Sequence, residues 1–127
     1  MMTETAVSPT EIDFLLKQLK ALANPRRLQI VQLLMEGIHC NCELGDVLHM
    51  PPNLISHHMS ILRDIGLVNV ERDAIDARWI YFSINETALA ELNQAFGAFF
   101  AANRIQPRRP SCGPQGSVIL MADIAVG

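Results

Sequence analysis

Two adjacent prolines, Pro51 and Pro52, separate a short patterned segment ending at Leu48 from a longer one between Asn53 and Ile65. Each proline fixes φ and removes a backbone donor, so no regular helix or sheet ladder runs through the pair. The chain must turn stiffly there, and the flanking segments become separate helices. Gly66 ends the second. A short helix, a tight turn and a second helix restrict the fold more than any figure of composition.

The rest of the pattern extends this unit in both directions. Residues 1–8 read as a flexible N-terminal arm. From Pro9, Ile12, Leu15, Leu16 and Leu19 recur at i, i+3, i+4 and i+7, one stripe of an amphipathic helix. Asn24-Pro25 interrupts it, and Pro25 suits the first position of a second helix running to about Glu36. That helix is expected to turn Leu28, Val31 and Leu34 inward, with Ile30 and Leu33 beside them, and to stop at Gly37. A short helix follows over 42–48, then the turn, then a helix over 52–65. Segments 67–72 and 78–84 alternate as two strands around a turn at 73–77. Asn85 caps a last helix to about Ala102, whose stripe is Leu89, Leu92, Phe96, Phe99 and Phe100. The expected fold is mainly α with a small β-hairpin, a dimeric winged helix-turn-helix over 9–103. Residues 104–127 form a Pro/Gly-rich tail that carries Cys112 and ends in a short apolar run at 118–126.

Composition narrows the function classes. The chain has 127 residues, and none of its apolar runs approaches the roughly 18 residues that would span a bilayer. Its start lacks a basic region followed by an apolar stretch, so a cytoplasmic protein with no membrane partner is expected. Three cysteines make an odd count without an export signal, which favours free thiols or a metal site over a disulfide framework. The net charge of −3 gives no broad basic footprint. A dimer that meets DNA on one narrow face can be acidic elsewhere.

On the helix after the prolines, Asn53, Ser56, His57, Ser60, Arg63 and Asp64 share one face at 3.6 residues per turn. Ile55, Met59 and Leu62 share the other, with Leu54 and Ile65 nearer its edge. The polar face is short-chained at its N-terminal end and lacks the Glu/Lys pairs of an ordinary solvated helix. Such a helix places its first residues in the major groove, where Asn, Ser and His can reach base edges or phosphates. Asn53, Ser56, His57, Ser60 and Arg63 are therefore candidate DNA contacts. His58 lies toward the inner edge and reads as packed or phosphate-bonded rather than as a metal ligand. Arg72 and Arg78 bracket the hairpin and can reach phosphates, with Asp73 and Asp76 beside them opposing DNA.

Several segments together resemble the ArsR/SmtB family of metal-sensing repressors. They are Ala23-Asn24-Pro25-Arg26-Arg27-Leu28-Gln29-Ile30, Cys40-Asn41-Cys42-Glu43-Leu44, the run from Ile55 through Val68, and Arg78-Trp79-Ile80-Tyr81-Phe82. The resemblance covers about residues 12–100. It implies a homodimer joined through the first and last helices, which binds operator DNA when metal-free and releases it on binding metal.

Cys40 and Cys42 stand just ahead of the reading helix. Thiolates select soft ions such as As(III), Cd(II), Pb(II), Zn(II) or Cu(I). Residues i and i+2 of a regular helix point about 200° apart, so the pair cannot share an ion inside an intact helix. An extended segment or an unwound first turn would allow it, and a helix start favours the thiolate. Arsenic sensors of the resembled family add a third thiol a few residues on, where this chain has Gly45. Cadmium-responsive relatives draw on cysteines of the N-terminal arm, and residues 1–11 hold none. Cys112 is the remaining thiol. Roughly ten residues of chain separate it from the last helix and can span up to about 33–36 Å.

Three thiolates suit the trigonal preference of As(III) or Sb(III), whereas Zn(II) would need His39, His49 or water as a fourth ligand. The expected protein is an As(III)-responsive repressor with Cys40, Cys42 and Cys112 as ligands. A Cd(II)/Pb(II)/Zn(II) sensor and a thiol-redox repressor are the alternatives within this class. A thiol-dependent reductase is the alternative outside it. The sequence offers that option no Cys-x-x-Cys, phosphate-cradling glycine loop or nucleophile–base pair.

Overall fold

The computed structural model describes residues 9–114. The order of elements is α1 (Pro9–Leu22), α2 (Pro25–Met35), β1 (His39–Cys40), α3 (Asn41–Leu48), α4 (Pro52–Asp64), β2 (Val68–Arg72), β3 (Ile80–Ile84) and α5 (Glu86–Phe99), then a 3₁₀ turn at Ala102–Arg104. The expected N-terminal arm and the apolar run at 118–126 lie outside the described residues. Among the described residues no helix is long and apolar enough to cross a membrane.

Local chemistry sets the boundaries. Asn24 is the N-cap of α2, its side chain accepting from the backbone N–H of Arg26 (2.9 Å) and Arg27 (3.2 Å), with Pro25 at the first helical position. Pro51 plays the N-cap role for α4, its carbonyl accepting from Leu54 and Ile55 at 3.1 and 3.2 Å. Asn85 caps α5 by accepting from the Ala88 N–H at 3.1 Å. Gly66 leaves α4 at φ 79°, a left-handed value that favours glycine, and the Leu67 N–H closes the turn on the Leu62 carbonyl.

The α3–α4 turn depends on a second glycine. Met50 donates its N–H to the Gly45 carbonyl at 3.1 Å, and a Cβ on Gly45 would lie 3.0 Å from the Met50 carbonyl oxygen. The chain folds back against α3 there, so the position where resembled sensors carry a third thiol is sterically tight.

The core lies between α2, α3, α4 and the sheet. Ile30, Leu34, Leu44, Leu48, Ile55, Met59, Leu62, Leu67, Val68 and Phe82 are buried in one cluster with Met50 and Leu92. In α2 this corrects the expected inward face. Ile30 is fully buried, while Leu28 is half exposed and Val31 is only partly buried. The helix is rotated so that Ile30 and Leu34, four apart, face the core formed with α4 and β3.

The sheet also departs from expectation. Among the described residues it has three antiparallel strands in the order β1-β3-β2 rather than a two-stranded hairpin. Val70 faces Phe82 and Val68 faces Ile84 across the wing, and β1 adds His39 opposite Phe82 and Cys40 opposite Tyr81. The cysteine segment therefore joins the wing's own sheet.

Candidate nucleic-acid interface and thiol site

The two faces of α4 divide as the periodicity predicts. Asn53, Ser56, His57, Arg63 and Asp64 are exposed and Ser60 partly so, while Ile55, Met59 and Leu62 are buried. The Ser60 hydroxyl donates back to the His57 carbonyl at 2.8 Å, which leaves its oxygen free to accept. The exposed side chains at the start of α4 are thus free of competing packing, on a helix whose opposite face is apolar apart from one histidine. His58 is buried, 6% exposed, with its Nδ1 3.2 Å from Nη1 of Arg27.

The wing turn is an ordered network. Asp73 accepts from the N–H groups of Ile75 and Asp76, both at 2.9 Å, and these bonds hold its carboxyl below the usual carboxylate range. Arg72 reaches the Ala77 carbonyl at 2.8 Å. Arg78 forms a fork on Asp76, with Nη2–Oδ2 at 2.7 Å and Nε–Oδ1 at 3.0 Å. That pair raises the Arg78 pKa, and the same bonds, from side chain and then backbone of Arg78, lower that of Asp76. Asp76 is thereby neutralised locally, and Arg78 is partly committed away from any phosphate.

The thiols fall into two environments. Cys40 is buried at the end of β1 and takes the N-cap position of α3 with extended dihedrals, φ −87° and ψ 162°. Its backbone N–H donates to Glu43 Oε1 at 2.9 Å. This bond, then the Cys40 side chain, holds the Glu43 carboxyl below its ordinary value, despite a smaller opposing effect of burial. Cys42, one residue into α3, is exposed, as is Cys112 in the segment after the 3₁₀ turn. His39 is turned toward the Gly37 carbonyl at 2.9 Å from Nδ1. Among the described residues no three His, Cys, Asp or Glu side chains are grouped to hold an ion. Cys40, Cys42 and Cys112 are thus not brought together in this conformation. Between the first two, the buried side-chain oxygen of Asn41 has no hydrogen-bond partner.

Comparison with known proteins bears on this arrangement. The profile for bacterial regulatory proteins of the arsR family matches residues 24–70. The transcriptional repressor SmtB of Mycobacterium tuberculosis is 45% identical over 71 residues, 55% of this chain and 53% of the repressor. An HTH-type transcriptional regulator of Methanocaldococcus jannaschii is 35% identical over 74 residues, 58% of this chain and 80% of that protein. A crystal structure described as a possible transcriptional regulator for arsenical resistance superposes with a TM-score of 0.60 at 30% identity, covering 69% of this chain and 88% of that one. The chain belongs to the ArsR family of bacterial regulatory proteins.

This ArsR-family chain spans about half the length of the mycobacterial repressor it matches. The family match encloses Cys40, Cys42 and the whole polar face of α4. Arg72, Arg78 and Cys112 lie beyond it. Sequence reasoning missed two features of the site. One is the pairing of Cys40 with Tyr81, because a two-residue strand has no periodicity to detect. The other is the contact of Arg27 with His58. A signal for it exists, since Arg26 and Arg27 put two cations in the first turn of α2 with no acidic residue there, against the helix dipole.

Proposed function

We propose that this chain is a dimeric transcriptional repressor that leaves operator DNA when As(III), or Sb(III), binds the thiolates of Cys40, Cys42 and Cys112. DNA contact falls to Asn53, Ser56, His57, Ser60 and Arg63 on α4, with Arg72 and Arg78 on the wing. The observation that carries this reading is the position of Cys40, which ends β1 and caps α3 at once. One residue thus joins the strand paired with the wing to the helix that precedes the reading helix.

The donor chemistry fits a thiophilic ion, since two cysteines flank one residue at a helix start. An As(III) ion, when bound, would supply a trigonal set of sulfur bonds. Cys40 already stands outside α3 with extended dihedrals, the geometry in which it can share an ion with Cys42. Its sulfur is buried, so ligation would pull on the N-cap bond to Glu43 and on the pairing of β1 with Tyr81. Couplings between effector and DNA sites are typically about 1–3 kcal/mol, or roughly 5- to 150-fold in affinity.

The test is fluorescence anisotropy on a duplex selected in vitro by the protein, titrated in parallel with arsenite, Cd(II), Pb(II), Zn(II) and peroxide. Release by arsenite near stoichiometry, with Cys112→Ser weakening it roughly tenfold or more, is the expected result. Release by a divalent ion alone identifies a Cd(II)/Pb(II)/Zn(II) sensor, and release by peroxide alone a redox repressor.

A further inference from the structure

One guanidinium fastens the reading helix to the rest of the fold. Arg27 lies in the first turn of α2, and its backbone N–H is taken by Asn24. Its side chain runs back so that Nε donates to the Ala21 carbonyl. Ala21 is in the last turn of α1, where carbonyls lack intrahelical partners and carry partial negative charge. The other end of the same group, Nη1, lies 3.2 Å from Nδ1 of His58 on the inner side of α4. Three helices meet on one side chain.

A guanidinium has donors only, so the contact requires Nδ1 of His58 to accept. The imidazole must be neutral with its proton on Nε2. A second proton would turn Nδ1 into a donor facing a donor and place two like charges together in a site that is 6% exposed.

We infer that Arg27 and neutral His58 form a positioning pair that sets α4 against α1 and α2, so that operator affinity is lost on acidification when His58 takes up a proton. This rests on α4 being the helix that meets DNA.

The surroundings agree in sign. Burial first, then Arg27, then His57 and Arg26, hold the His58 pKa below the ordinary 6.5. Its charged neighbours are therefore arginines of α2 and a histidine of α4. The other elements packed on α4, which are α1, α3 and β2, contribute no opposing carboxylate among the described residues. A lowered folded-state pKa means that the aligned state binds fewer protons. Its stabilisation is complete above the unfolded value and is lost as pH falls through the folded one. His57 is exposed on the reading face of the same helix, so the test removes it to isolate His58.

The experiment measures anisotropy with the full chain on an in vitro-selected duplex and on a scrambled duplex of equal length, between about pH 7.5 and about pH 5.5. Far-UV circular dichroism checks the fold at each pH. With His57→Ala as background, selected-duplex affinity is expected to fall roughly five- to tenfold beyond the scrambled duplex on acidification. Adding His58→Gln, whose carbonyl accepts at every pH, should keep the affinity at neutral pH and flatten this profile. Arg27→Lys keeps the charge but loses the fork. It should weaken the selected duplex roughly tenfold and the scrambled one by no more than about twofold.

An unchanged pH slope in the His58→Gln variant overturns the pair, as does equal weakening of both duplexes by Arg27→Lys. Asn53→Ala on the same duplexes separates the two levels. If it does not weaken the selected duplex, the assignment of α4 fails and the proposal fails with it. If it does and the His58 slope persists in the glutamine variant, the pair alone is wrong.

Discussion

Cys40 and Tyr81 stand directly opposite each other in the antiparallel pairing of β1 with β3. The phenol of Tyr81 in turn donates to Asp73 Oδ1 at 3.3 Å, at the start of the wing turn. Burial and the charge of Asp73 raise the Tyr81 pKa, so the group stays a donor. A buried thiol is thereby two contacts from the wing and one residue from α3. The exposed Cys42 has no such ties.

Thiol reactivity should follow this division. With a soluble disulfide reagent in excess, Cys42 and Cys112 are expected to react first and Cys40 roughly tenfold or more slowly. Stopped-flow absorbance on single Cys→Ser variants assigns the phases. Three equal rates would mean that β1 opens freely and does not hold Cys40.

Gly45 offers a steric test of the α3–α4 turn. In an unobstructed helix interior, Gly→Ala gains up to about 1 kcal/mol. At Gly45 the new Cβ meets the Met50 carbonyl oxygen at 3.0 Å, so Gly45→Ala should give no such gain in urea denaturation. Gly45→Cys should likewise fail to stabilise. A gain of the full amount would show that the turn yields easily, and would leave the missing thiol without a structural reason.

On the reading face, Asn53→Ala and His57→Ala should each cost about 1–3 kcal/mol in binding a selected duplex. Binding to a scrambled duplex should change much less. Equal losses on both would make them phosphate contacts that position the helix without reading bases.

The faces of α1 and α5 should hold the dimer together. Ile12, Leu16, Leu19 and Phe100 are 46–69% exposed and, with Leu15, Phe96 and Phe99, line one apolar concavity. Leu16→Glu combined with Phe100→Glu should convert a dimer to a monomer by size exclusion with light scattering, since a buried unpaired carboxylate is costly. A dimer that survives the double change uses another surface.

Much of this was legible in the chain because it depends on local rules. Pro51-Pro52, Gly66, and the split of α4 into Ser/His/Asn and Ile/Met/Leu faces each act within one turn of their own residue. The unread parts depend on contacts between distant segments. Ile30 rather than Leu28 is buried because α4 and β3 fix the rotation of α2, which its own sequence, apolar on more than one side, leaves open. β1 forms because β3 offers an edge, with no signal in His39-Cys40 itself. Arg27 meets His58 across 31 positions.

The most direct test of the central claim follows arsenite binding and DNA release in one titration, using the chain on a labelled selected duplex with Cys40→Ser and Cys42→Ser alongside. The expected result is stoichiometric arsenite binding that lowers duplex affinity by about 5- to 150-fold or more, with both effects lost in each variant. Tight arsenite binding that leaves duplex affinity unchanged, or release that persists in both variants, would contradict a thiol switch at the start of α3.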